Sequence, residues 1–211
     1  MNSLKHTARM LIVLSICIFS NAVLAADEGK VSPEERTKVI NLLKDSQAEP
    51  LAALEKLSDE QLKFKPAPER WSVIEVAEHI MMAEGLLFGA VQRAIATTPN
   101  PDWEAKTKGK TEFLEDVLAG RKGKASAPEN IVPTGKISRQ DLIAKLKEGR
   151  ARTMKFTEEN KLPLKAYTMD HPFPVFGTLN AYQWLIYIPL HNIRHNKQIA
   201  EVMADPKFPK K

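Results

Sequence analysis

Between Trp184 and Met203 the chain reads WLIYIPLHNIRHNKQIAEVM, with two histidines, His191 and His195, four residues apart. On an α-helix that spacing sets both rings on one face, one turn apart. Trp184, Ile188, Ile199 and Val202 share the face, whereas Asn192, Asn196 and Lys197 fall on others. The histidine stripe therefore looks inward, where an imidazole without a partner is costly to bury. A third histidine, His79, has a similar setting. Helical steps of three, four and seven from it reach Val76, Met82, Ala83 and Leu86. Any fold of this chain must satisfy these inward rings.

Capping signals divide the rest of the chain into helices. Ser32, with Pro33 and Glu35 behind it, opens the first, whose apolar side is Val39, Ile40, Leu42 and Leu43. Pro50 should bend or interrupt it before Leu51, Leu54 and Leu57. Ser58 and Gln61 predict one short turn. Ser72 and Glu75 open a second long helix running to about Ala96, with Trp71 and Val76 placed to form a hydrophobic staple. Ser138 and Asp141 open a third, with Leu142, Ile143, Leu146, Met154 and Phe156 on its buried side. The fourth starts near Thr178 to Ala181, ends near Ala204, and should kink at Pro189. Pro99 to Lys136 is irregular, with one short helix over Thr111 to Ala119. A connection this long is uncommon unless it covers a site or is mobile. No window shows sustained period-two alternation, so four amphipathic helices predict an all-α four-helix bundle.

The N-terminal stretch has a different character. Lys5 and Arg9 precede an apolar run from Met10 to Phe19, and Val23-Leu24-Ala25 offers a small-residue cleavage site. This order predicts a secretory signal peptide over residues 1–25, a mature domain over 26–211, and a periplasmic or secreted location. The alternative is an uncleaved anchor, although the run is shorter than the roughly 20 residues a span requires. Cys17, the only cysteine, falls in this run, so the mature chain would have neither a disulfide nor a cysteine nucleophile. Ile16 is too bulky to make Cys17 a lipoprotein site. Without Lys5 and Arg9 the net charge drops from +5 to +3, with basic residues dispersed except for a modest cluster from Arg121 to Lys124. That describes a solvated surface and argues against nucleic acid as a partner.

Three inward histidines on two helices suit a divalent transition metal. A pair from one helix and a third from a facing helix leave coordination positions open, as a catalytic site needs. The competing reading is a hydrogen-bonded core, in which the rings bind one another and water. The zincin motif is excluded, because it requires glutamate directly after the first histidine and this chain has Asn192. Glu75 is accounted for as a cap, Glu78 does not closely share the face of His79, and Glu84 and Gln92 read as surface residues.

Two stretches are similar to a known family. RWSVIEVAEHI, from Arg70 to Ile80, resembles the second-helix signature of the DinB-like superfamily. QWLIYIPLHNIRHNKQI, from Gln183 to Ile199, resembles its fourth-helix signature. The order of elements is similar over nearly all of the mature chain. The resemblance implies an up-down-down-up bundle with a long crossover, often dimeric. It also implies a metal on His79, His191 and His195, with zinc or nickel first and iron or manganese after them. Some members of that family are metal-dependent thiol transferases, one related member isomerises a thiol adduct, and many have no established activity.

The resulting expectation is a metal-dependent enzyme that activates water or a thiol for hydrolysis or transfer on a small molecule. The alternative is a bundle that binds metal or a small ligand without turnover. The loops Pro99 to Lys136 and His171 to Gly177 would shape the pocket, with Trp184, Tyr187 and Met82 as candidate lining. His171 is a weak candidate for a fourth ligand or a proton carrier. A homodimer is expected from the resemblance alone, and no membrane contact is expected after signal removal.

Overall fold

The structure, a computed structural model, describes residues 28–123 and 126–210. The proposed signal peptide and Cys17 lie outside the described residues. Four long helices form the body: α1 (Pro33–Lys56), α3 (Val73–Ile95), α6 (Arg139–Glu159) and α7 (Ala181–Met203). A single turn, α2 (Asp59–Lys63), links the first two.

Each start follows its capping chemistry. Ser32, Ser58, Ser72 and Asn180 each accept a hydrogen bond from the backbone N–H three residues on. In each case the Glu or Gln at that third position returns the bond, giving four reciprocal boxes. Ser138 likewise accepts from Asp141 N, and the Asp141 carboxylate takes the Ser138 hydroxyl at 2.7 Å. Pro50 lies buried inside α1 and does not end it. Pro189 lies inside α7, two residues before His191.

Two apolar clusters establish the helix directions. One joins Val39 and Leu43 of α1, Leu87 to Ala94 of α3 and Ala181 to Leu190 of α7. The other joins Ala53 to Leu57 of α1, Val73 to Ile80 of α3, Leu142 and Leu146 of α6, and Ile199 and Val202 of α7. Thus α1 and α7 run from the first cluster to the second, while α3 and α6 run the opposite way. The order is up-down-down-up. The consecutive helices α1 and α3 sit diagonally, and each packs against both α6 and α7.

Because α3 and α6 are parallel, residues 96–138 must travel the length of the bundle between them. This crossover carries two short helices, α4 (Trp103–Thr107) and α5 (Lys110–Leu114), the second leading into a π-helical turn at Glu115–Ala119. A 3₁₀ turn follows at Glu129–Ile131. The segment lies along α7, whose cations hold its carbonyls. Arg194 donates to Gly123 O at 2.8 Å and Lys197 to Ala119 O at 2.6 Å. Gln183 donates to Thr107 O at 2.9 Å.

Two sequence expectations need correction. The stretch around His171 is the loop of a small antiparallel hairpin, β1 (Thr168–Asp170) with β2 (Thr178–Asn180), which leads directly into α7. Three residues per strand are too few to register as alternation. Glu84 is not a surface residue: it is 4 % exposed. Asn192 and Asn196, set on faces other than the inward histidine stripe, are buried as well.

The buried polar groups form a layer between the two apolar clusters. Arg150, 2 % exposed, meets Glu84 through Nη2 to Oε2 at 3.0 Å and Nε to Oε1 at 3.1 Å. Its other contacts are Leu43 O, Ser46 Oγ at 3.0 Å and Asn192 Oδ1 at 2.8 Å. Thr153 Oγ1 donates to Glu84 at 2.9 Å, and Asn196 donates to Ser46 O at 2.9 Å. All four long helices contribute to this one network.

Trp71, before the cap of α3, is half-buried. It packs on the second cluster and lies 4.8 Å from the His79 ring, centroid to centroid. Full truncation of a core tryptophan costs about 3–5 kcal/mol. With part of its face open, Trp71→Ala is expected to fall near the lower end of that range, about 3 kcal/mol, in urea denaturation. A loss below about 1 kcal/mol would show that the ring merely lies on the surface.

Candidate metal centre

The up-down-down-up order sets the first turns of α3 beside the last turns of α7, which brings His79 to His191 and His195. Ring centroids are 4.4 Å apart for His191 and His195, 4.5 Å for His79 and His195, and 5.1 Å for His79 and His191. One ring nitrogen from each lies within 4.8 Å of the others, close enough to hold a common ion. Among the described residues no carboxylate or thiol joins this cluster.

The surrounding bonds set the tautomers of two rings. His79 Nδ1 lies 2.8 Å from Ile131 O. A carbonyl can only accept, so Nδ1 carries the proton and Nε2 keeps its lone pair. His195 Nδ1 makes the equivalent bond to Gln198 Oε1 at 2.8 Å. Orientation of a histidine through its distal N–H is how metal ligands are usually held. His79 is 2 % and His195 9 % exposed. His191 keeps a partly exposed edge, although desolvation of its ring is strong.

Burial pushes all three rings toward the neutral form, which is the ligating form. The His195 pKa falls to about 3, first through desolvation and then through the charge of a neighbouring His79, with the Gln198 bond opposing. That of His191 falls well below the ordinary value, through desolvation and then the other two rings. That of His79 is lowered by desolvation, with the Ile131 bond opposing. The donor set therefore fits a divalent transition metal: three neutral imidazoles, two of them already oriented.

His171 stands apart from this cluster. Its ring stacks on Trp184 at 4.8 Å and 7°, and packs tilted against Phe176 at 4.4 Å and 46°. Its Nδ1 accepts the Phe173 N–H at 2.9 Å. Tyr187 intervenes, 5.8 Å from His171 and 6.2 Å from His191. Trp184 and Tyr187 are buried in the first apolar cluster, and the Trp184 indole N–H has no acceptor among the described residues. Met82 is partly buried, on the same side of α3 as His79. Glu78 and Ile131, which the sequence did not mark as part of the site, both bear on it through the crossover.

Burial also lowers the His171 pKa, to about 4. All four histidines thus bind protons more weakly folded than unfolded, where the reference is 6.5. Their contribution to stability is complete above pH 6.5 and disappears as pH falls toward the folded values. The metal-free protein is therefore expected to show a urea midpoint that declines from about pH 6.5 to about pH 4. A midpoint constant over that window would show the rings to be hydrated.

The fold and site define a class: an all-α bundle with three convergent histidines between its second and fourth long helices. The chain belongs to the DinB superfamily, whose family model matches residues 42–199. It is 25% identical over 168 residues to the uncharacterized protein YuaE of Bacillus subtilis (strain 168), covering 77% of this chain and 96% of that protein. Its fold is similar to that of YfiT from Bacillus subtilis, with a TM-score of 0.52 and 16% identity over 82% of this chain and 88% of the other. YfiT is described as a probable metal-dependent hydrolase with an unusual four-helix bundle topology. Among the described residues no helix is long and apolar enough to cross a membrane.

Proposed function

We propose that this protein is a metal-dependent enzyme acting on a small molecule, with His79, His191 and His195 as the metal ligands and hydrolysis as the reaction. The observation that carries this reading is the three-histidine cluster, with no fourth protein ligand among the described residues. A divalent metal held there supplies Lewis-acid chemistry and lowers the pKa of a coordinating water. The chain's own groups do the remaining work. Ile131 O and Gln198 Oε1 hold the Nδ1 protons of His79 and His195 and so leave their Nε2 lone pairs free to ligate. Trp71 and the crossover cover the buried side and limit water. The description of YfiT supports hydrolysis over transfer of a thiol.

The rings' depressed pKa values sharpen the pH dependence. Protons compete for the ligand nitrogens only below the folded values, so metal affinity should hold below the ordinary pH 6.5 threshold. The reading is tested by stripping the protein and reconstituting it with zinc, nickel, iron or manganese. Turnover is then measured on small esters, amides and phosphoesters, with thiol transfer run in parallel. Metal-dependent hydrolysis is expected. Thiol transfer without hydrolysis would reassign the reaction, and no turnover with any metal would leave a non-catalytic binding bundle.

A further inference from the structure

Glu78 immediately precedes His79 and is 6 % exposed, yet it joins no ligand cluster. Its carboxylate is turned to the crossover. Oε2 accepts the backbone N–H of Thr134 at 3.0 Å and that of Gly135 at 2.6 Å, and Oε1 accepts the Thr134 hydroxyl at 3.0 Å. The same short segment presents Ile131 O to His79 Nδ1. Residues 131–135 are thus gripped at both ends by adjacent residues of α3. Gly135 allows the turn: its φ is +66°, and a Cβ there would meet Glu75 Cγ at 3.3 Å.

We propose that Glu78 is a positioning residue for His79, acting through the crossover. It anchors Thr134 and Gly135, and this fixes the Ile131 carbonyl that holds His79 in its Nδ1–H tautomer. The inference rests on the reading of the three histidines as metal ligands, but its structural half does not require a metal. Nothing comparable acts on His195, whose partner Gln198 lies on its own helix. A glutamine at position 78 can keep the clamp: its oxygen can accept both N–H groups while its amide donates to the Thr134 hydroxyl. The role is therefore one of geometry rather than charge.

The test compares full-length wild type, Glu78→Ala, Glu78→Gln and Gly135→Ala. In metal-free protein, ¹⁵N NMR of the ring nitrogens reads the tautomers. Glu78→Ala is expected to release His79 into mixed tautomers while His195 stays fixed, and Glu78→Gln is expected to keep both. Gly135→Ala disturbs the clamp from the loop side, at a positive φ and against the Glu75 side chain, and leaves the Glu78 carboxylate in place, so it should reproduce the His79 signature if Glu78→Ala fails to fold. Zinc titration against a chelating dye should show a Kd raised about 10–100-fold in Glu78→Ala and by under about threefold in Glu78→Gln. An unchanged His79 tautomer in both Glu78→Ala and Gly135→Ala would overturn the proposal. So would equal losses in Glu78→Gln and Glu78→Ala, because the effect would then be electrostatic. If wild type binds none of zinc, nickel, iron or manganese, the enzyme reading fails while the tautomer comparison still decides the role of Glu78.

Discussion

Glu84→Ala is expected to destabilise the protein by about 3–5 kcal/mol, the usual result of removing one partner from a buried ion pair. Arg150 would keep its charge at the centre of the bundle with its carboxylate partner gone. Its remaining contacts, Ser46 Oγ, Asn192 Oδ1 and Leu43 O, are neutral. Removing both charges, as in Glu84→Leu with Arg150→Met, should be less damaging than the single change but not neutral. Asn192 Oδ1 would lose its donor in a buried place, at about 1–3 kcal/mol, whereas Leu43 O keeps the Ser46 hydroxyl at 3.4 Å. Urea denaturation of the two variants decides the matter. A loss under about 1 kcal/mol in Glu84→Ala would show that water reaches the layer.

Metal binding should have an effect of similar size and opposite sign. A ligand that binds only the folded state stabilises it by RT ln(1 + [L]/Kd), about 4 kcal/mol at a thousand times Kd. His79 lies on α3 and His191 and His195 on α7, so the metal would join two helices distant in sequence. Wild type is expected to gain roughly this amount in saturating zinc and to lose it to a chelator. His191→Ala should show little of the gain, because two imidazoles remain and the metal Kd rises. His171→Ala should keep it, because that ring packs on Trp184 and Phe176, away from the cluster. Equal gains in wild type and His191→Ala would place the bound ion elsewhere.

The helix starts were legible because capping is local: Ser32 with Glu35 or Ser72 with Glu75 can be recognised within four residues. The histidine faces were legible for a similar reason, since i, i+4 spacing and apolar neighbours belong to one helix. The polar layer was not. Glu84 read as a surface residue, Asn192 and Asn196 only as lying off the histidine face, and Arg150 drew no reading, because a polar side chain is normally placed outside unless its partner is visible. Apart from the Asn192–Asn196 bond within α7, the partners are on other helices, up to 150 positions away in the Asn196 to Ser46 bond. The same non-locality hid the grip of Glu78 on Thr134 and the carbonyl that Ile131 gives to His79. The crossover's length suggested a cover, but its register against α3 depends on tertiary contacts.

The central claim is that His79, His191 and His195 together hold one divalent metal. It is tested most directly by elemental analysis of tag-free protein, as metal per chain, for wild type and for the His79→Ala, His191→Ala, His195→Ala and His171→Ala variants. The account expects about one metal per chain in wild type and in His171→Ala, and close to none in the other three after dialysis, with helical content retained throughout. Metal retained at the wild-type level in the His79, His191 and His195 variants would contradict it.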